Sequence, residues 1–256
     1  MEYIDTHSHL YDEAFSSEED LAVERAVNAG VTKMIVPDID SSTRQVMFDL
    51  AERHPGTLFP TLGLHPTSVA ANWRDEMDAV EKALPEHKIW AIGEIGIDCY
   101  WSKEFLEQQK EAFRIQLEMA EKLDLPVIIH SRESTELIIN VLKEHKTHNL
   151  RGVFHAYSGS AETYRELQKL GDWYIGIGGV LTYKKASIAE TVKEIPLERI
   201  LLETDSPYLT PVPHRGKRNE SSYIPHIAEK LAIQKGISIE EVARTTTANA
   251  IRLFRL

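Results

Sequence analysis

Val127-Ile128-Ile129-His130 is an unbroken apolar run that ends in an imidazole. A strand with one wet face alternates polar and apolar residues. A run without alternation marks a strand covered on both faces, as in a parallel sheet. The same form recurs at Tyr3–His7, Thr32–Val36, Leu58–Leu62, Ile89–Ile92, Gly152–His155, Trp173–Ile177 and Ile200–Leu202. Neighbouring runs are separated by enough chain for one helix and two loops. Ser17-Glu18-Glu19-Asp20 reads as an N-cap followed by first-turn acids, and Gly30 suits the position after that helix ends. Glu104–Leu123 is the longest helical stretch, with Leu106, Phe113, Leu117 and Ala120 on one stripe. Ser160 opens another helix and Gly171 ends it. Tyr223–Lys235, Ser238–Arg244 and Thr247–Phe254 add helical segments after the last strand.

Strands alternating with helices, evenly spaced and without a linker, predict an α/β fold. The expected architecture is a single-domain (β/α)8 TIM barrel over residues 1–256, with extra C-terminal helices. An open doubly wound sheet is the competing arrangement. The chain of 256 residues is 42% hydrophobic and 27% charged, so disorder and collagen-like repeats are excluded. Its 29 basic and 40 acidic side chains give −11 at pH 7. That charge argues against coating nucleic acid by bulk electrostatics, yet leaves room for a local phosphate pocket. The lone cysteine, Cys99, permits no internal disulfide and fits a reducing compartment. No long apolar run suggests a membrane span, and the N-terminus lacks the regions of a signal peptide. A cytoplasmic protein is expected, with no membrane association, no obligate protein partner and a monomeric state.

The chemistry gathers at the C-terminal ends of the runs. His7 and His9 end the first, His130 the fifth and His155 the sixth; Glu94 follows the fourth and Asp205 the eighth. In a barrel those ends share one rim, where active sites lie. Side chains two apart on a strand point to one side, so His7 and His9 can reach one ion. Any one of these residues alone reads as a core histidine, an ion-pair partner or a helix cap. Together they form a ligand set too large for one catalytic ion with an open position. They suit two ions roughly 3.5–4 Å apart sharing a carboxylate. Imidazoles favour Zn²⁺ and carboxylates Mg²⁺ or Mn²⁺, so metal identity stays open. Arg132 and Arg215 are candidate phosphate clamps, because guanidinium binds phosphate bidentately. Asp38 also points toward the rim, and Gly176-Ile177-Gly178-Gly179 lacks the spacing of a phosphate or dinucleotide loop.

Asp5-Thr6-His7-Ser8-His9-Leu10, Gly63-Leu64-His65-Pro66, Gly93-Glu94-Ile95-Gly96-Ile97-Asp98, His130-Ser131-Arg132, Phe154-His155-Ala156-Tyr157-Ser158-Gly159, Glu203-Thr204-Asp205-Ser206-Pro207-Tyr208-Leu209 and Arg215-Gly216-Lys217-Arg218-Asn219-Glu220 stand in order along the chain. Together they resemble the TatD family of metal-dependent deoxyribonucleases, which are amidohydrolase-type barrels. The resemblance runs from Asp5 to about Phe254. It implies that His7, His9 and Asp205 hold a first ion, that Glu94 bridges, and that His130 and His155 hold a second. It implies that a metal-activated water attacks while Asp205 accepts a proton. It also implies that Glu203 orients a ligand histidine and that His65 faces substrate phosphate. Two departures stand out: Ser221 where the family often has proline, and Cys99 where tyrosine is frequent. The first predicts a looser substrate-facing loop.

The function expected is metal-dependent hydrolysis of phosphodiesters in DNA, from single-stranded ends. One alternative keeps the site and changes the bond, as in an esterase or amidase such as a D-aminoacyl-tRNA deacylase. Another is a binding or scaffold protein that retains the barrel. The complete ligand set argues against it.

Overall fold

The computed structural model describes residues 1–145 and 149–256. Among them, eight strands alternate with helices: β1 (Tyr3–Asp5), α1 (Glu19–Asn28), β2 (Val31–Val36), α2 (Ser41–Arg53), β3 (Leu58–Pro60), α3 (Trp73–Ala83), β4 (Ile92–Asp98), α4 (Leu106–Leu123), β5 (Val127–Arg132), α5 (Thr135–Glu144), β6 (Arg151–Phe154), α6 (Ala161–Leu167), β7 (Asp172–Ile177), α7 (Ile188–Glu194), β8 (Ile200–Leu202), α8 (Ile224–Lys235) and α9 (Ile239–Phe254). All pairings are parallel, in the orders β1-β2-β3 and β4-β5-β6-β7-β8. Single bridges, Leu62 to Ile92 and Ser8 to Ser206, join the two sheets. The Thr6 amide donates to Leu202 O at 3.0 Å and the Asp205 amide to His7 O at 2.9 Å. The strands therefore close into a TIM-type barrel, and the open-sheet alternative falls.

Ile4, Ile35, Phe59, Ala91, Ile128, Val153, Tyr174 and Leu201 fill the barrel interior, one from each strand or its lead-in. Burying each of the larger ones stabilises the fold by roughly 1.5–3 kcal/mol. Leu253 and Phe254 of α9 join this layer. Thr247 Oγ1 bonds to Glu2 O, and Asn249 Nδ2 to Leu197 O and Ile200 O. Those partners lie just before or at the start of β1 and β8, so α9 plugs the N-terminal mouth. The opposite mouth is left for chemistry.

Three sequence expectations need correction. The fourth strand is not Ile89–Ile92 but β4, so Glu94 lies within it instead of after it. Gly93 and Gly96 disguise the strand, since glycine weakens strands. Here both are needed, because a Cβ at Gly93 would strike Ile128 and one at Gly96 the His130 carbonyl. The two final helical segments are one helix, α9. Its threonines do not break it, because Thr246 Oγ1 bonds to Val242 O at 2.9 Å within the helix. Finally, Ser17 does not cap α1: it adopts φ 67°, and Glu18 holds the N-cap position without a side-chain bond.

Candidate metal centre

β1 ends at Asp5, so His7 and His9 sit on the loop beyond it. The buried Asp5 carboxylate anchors that loop. It accepts from the His7 amide at 3.2 Å, the Thr204 amide at 2.9 Å and Thr204 Oγ1 at 2.6 Å. The two imidazoles are thereby aimed at each other, Nε2 to Nε2, at 3.1 Å. Glu94 Oε2 lies 3.2 Å from His7 Nε2 and 3.7 Å from His9 Nε2. Asp205 Oδ1 is 3.7 Å from both. The other oxygen of Glu94 faces a second group. Oε1 is 2.9 Å from His130 Nδ1, 2.8 Å from His155 Nε2 and 3.3 Å from His65 Nε2. The His7 and His155 rings stack 3.9 Å apart and join the two groups.

These donor sets fit divalent cations. Ligands about 2.0–2.2 Å from one ion lie roughly 3.0–3.6 Å from each other. The separations around each Glu94 oxygen, from 2.8 to 3.7 Å, fall close to that range. The tautomers agree. Tyr11 donates its hydroxyl proton to Pro37 O, so at 3.1 Å it can only accept from His9 Nδ1–H, which leaves His9 Nε2 bare. Asp98 Oδ2 accepts from His130 Nε2–H at 2.8 Å, so in the neutral ring the Nδ1 lone pair is the one that faces Glu94. His65 is the exception. The Thr67 amide donates to its Nδ1 at 3.1 Å, so Nε2 carries the hydrogen and His65 offers an N–H instead of a lone pair.

Titration behaviour follows the same division. Burial pushes His9 down to about 4 and His7 well below the usual histidine range, so both are neutral and ready to ligate. Burial also works to lower His155, but Glu94 outweighs it and raises the imidazole to about 10. Burial opposes ionisation of Glu94, yet the surrounding histidines hold it well below the usual carboxylate range. The space around Glu94 Oε1 thus favours positive charge. Burial raises Asp205 to about 6 and Glu203 to about 8.

The other expected residues fall as follows. Glu203 accepts from the Ala156 amide, and its Oε1 stands 3.9 Å from His155 Nδ1, beyond hydrogen-bond distance. Gly176 leaves the space its carboxylate occupies. Arg132 lies over Tyr100 at 3.7 Å, and Arg215 over Tyr183 at 3.9 Å. Among the described residues neither guanidinium pairs with a carboxylate or touches the imidazoles, and both are exposed. Arg218 is structural: it bonds to Ala14 O, Glu18 and Glu220. Ser221 does not loosen its loop, because it is fully buried and bonds to Ser8 Oγ at 3.1 Å. Asp38 is buried against Arg44 at 2.8 Å and belongs to the support beneath Glu94. Sequence reasoning missed Asp98 and Tyr11. For Asp98 the signal was the strand period, since it stands four residues beyond Glu94 on β4; Tyr11, on the loop beyond β1, carried no such signal.

Comparison with known proteins decides the family. The profile described as TatD related DNase matches residues 4–255. This chain belongs to the TatD family. It is 39% identical over 253 residues to the uncharacterized metal-dependent hydrolase YabD of Bacillus subtilis, covering 98% of each chain. It is 34% identical over 249 residues to the 3′-5′ ssDNA/RNA exonuclease TatD of Erwinia tasmaniensis, covering 94% of this chain and 95% of the other. The crystal structure of the TatD homologue YjjV from Escherichia coli superposes with a TM-score of 0.90 at 31% identity, covering 99% of this chain and 98% of that one. As a TatD protein the chain is a metal-dependent hydrolase, and its histidine and carboxylate clusters are compatible with a divalent metal. No helix among the described residues is long and apolar enough to cross a membrane.

Proposed function

We propose that this TatD hydrolase cleaves phosphodiester bonds at the ends of single-stranded DNA, using two divalent cations, Zn²⁺, Mg²⁺ or Mn²⁺. The observation that carries the reading is Glu94, whose two oxygens face two separate ligand groups. His7, His9 and Asp205 would hold one cation with Glu94 Oε2, and His130 and His155 the other with Oε1. Bound there, the cations would supply an activated water and neutralise phosphate charge.

The protein supplies the remaining parts. Asp205 Oδ1, which faces both imidazoles of the first ligand group, accepts the proton of the attacking water. His65 Nε2–H donates to a phosphate oxygen. Arg132 and Arg215, free of carboxylate partners among the described residues, take flanking phosphates. Glu203 holds the loop that carries His155. Gripping a few phosphates in this way reconciles the −11 charge with a nucleic-acid substrate. The name of the Erwinia relative supports attack from the 3′ end. A cytoplasmic monomer, with residues 1–256 acting as one hydrolase unit, completes the reading.

The test is digestion of 3′-labelled and 5′-labelled single strands by protein loaded with Mg²⁺, Mn²⁺ or Zn²⁺. Stepwise release of mononucleotides from one end is expected. No product with any metal at generous enzyme concentration refutes the assignment.

A further inference from the structure

Beside the metal centre, the loops after β6, β7 and β8 enclose a cavity of about 420 Å³. That volume lies in the range of small-ligand sites, roughly 300–1,000 Å³. Its walls are largely apolar: Tyr157, Leu181, Tyr183, Ile188 and Leu209. Its floor is polar, for Glu203, Thr204 and Asp205 line it too. Asp205 therefore faces both the first ligand group and this cavity. Gly179 lets the chain after β8 pack close, since a Cβ there would strike Leu209 O.

The mouth is cationic in an acidic protein. Lys185 lines it, and Arg215 lies 3.9 Å over the ring of Tyr183, whose hydroxyl is fixed on Thr210 O at 3.1 Å. Many cations of this chain are paired: Arg25 with Glu220, Arg165 with Glu194, Arg199 with Asp172. Among the described residues Lys185 and Arg215 pair with no carboxylate. A largely apolar slot with two tyrosines in its walls, Lys185 on its lining with Arg215 stacked on one of those tyrosines, and a carboxylate of the first ligand group at its floor suits a nucleotide. The end of a nucleic-acid strand offers a flat base for the slot and a row of phosphates leading away from it.

We infer that this cavity holds the base of the terminal nucleotide, stacked toward Tyr183, while Lys185 and Arg215 take the phosphate one step further along the strand. The inference rests on the nuclease reading and names a substrate determinant within it. It makes base occupancy, not base identity, the feature recognised, because stacking tolerates every base.

The test compares single strands ending in an ordinary nucleotide with strands ending in a tetrahydrofuran abasic residue. Wild-type enzyme should show about a tenfold or greater rise in KM for the abasic terminus, the size expected for one base stacked on an aromatic ring. Ala186→Trp fills the cavity from its half-buried wall and should remove the discrimination. Should that variant lose its fold, Lys185→Glu, an exposed change, should still raise KM several-fold for the ordinary terminus. A second readout needs no turnover: metal-free protein should quench a strand carrying terminal 2-aminopurine, and Ala186→Trp or Lys185→Glu should weaken the quenching. Equal KM for both termini together with unchanged fluorescence overturns the inference while leaving the nuclease reading intact. Quenching without cleavage of any strand sustains the base site and removes the nuclease reading. Neither quenching nor cleavage removes both.

Discussion

Asp98→Asn isolates one hydrogen bond behind the metal centre. Oδ1 of Asp98 accepts from the Tyr100 amide at 2.9 Å and the Trp101 amide at 3.0 Å. Oδ2 accepts from His130 Nε2–H at 2.8 Å. Burial raises this carboxyl, but His130 and the Trp101 and Tyr100 amides together outweigh it and hold Asp98 below its ordinary range, so it is ionised at neutral pH. An asparagine that keeps Oδ1 on the loop amides turns an NH2 toward His130 Nε2–H, donor against donor. One escape moves the imidazole proton to Nδ1, the atom that faces Glu94. The other flips the amide and sets its NH2 against the Tyr100 and Trp101 amides. Both weaken the second ligand group and leave the first alone. Loss of such an orienting carboxylate costs about 10–100-fold in metal affinity, which is about 1.4–2.7 kcal/mol. Calorimetric titration of chelator-treated protein with Zn²⁺ or Mn²⁺ reads this as one binding step weakened and one preserved. A variant with wild-type Tm and both steps unchanged would refute the orienting role.

Three further outcomes follow from the same geometry. Arg132→Ala and Arg215→Ala should each raise KM for single-stranded DNA about tenfold and reduce the salt slope by roughly 1, as expected for a lost phosphate contact. Equal activity on DNA with both arginines gone, alongside intact ester hydrolysis, would favour a carbonyl substrate. Burial works to raise Glu220, but Arg25 and Arg218 outweigh it and depress its pKa, so its stabilisation is present above the ordinary glutamate range and fades as pH falls through the lowered value. Glu220→Gln should lower Tm at pH 7 by about 2–4 °C, for roughly 1 kcal/mol with a half-exposed Arg25 partner. That difference should shrink as pH falls below the ordinary glutamate range, and a constant offset at every pH would contradict the ion-pair account. Ions bound to the folded state alone add stability by mass action, about 2.7 kcal/mol at one hundred times Kd. Tm should therefore rise several degrees on metal addition and fall with chelator, and an unchanged Tm would speak against ligation.

The barrel was legible because a parallel strand covered on both faces leaves a continuous apolar run, as Val127-Ile128-Ile129 does. β4 was not, because its packing demands glycines. Gly93 and Gly96 let the strand lie against Ile128 and His130, and their propensity points the other way. The helix α9 was split for a similar reason: Thr245-Thr246-Thr247 reads as a break until Thr246 is seen bonding within the helix. At the site, the residue types at strand ends named His7, His9, Glu94, His130, His155 and Asp205, and the structure brings all six together. The protons were beyond reach of the sequence. Only the contacts of Tyr11, Asp98 and Thr67 show which ring nitrogen of His9, His130 and His65 is bare. The stacking of Arg132 and Arg215 on aromatic rings was equally hidden, since Tyr100 and Tyr183 carry no signal of their own.

Metal stoichiometry tests the central claim most directly. Protein purified without chelator, and again after reloading with Mn²⁺ or Zn²⁺, should hold two ions per chain by elemental mass spectrometry. Glu94→Gln removes the carboxylate that serves both ligand groups, so it should hold at most one ion and release no nucleotide from single-stranded DNA. A wild-type chain that binds no more than one ion, or a Glu94→Gln chain that keeps two and still turns over, would contradict the account.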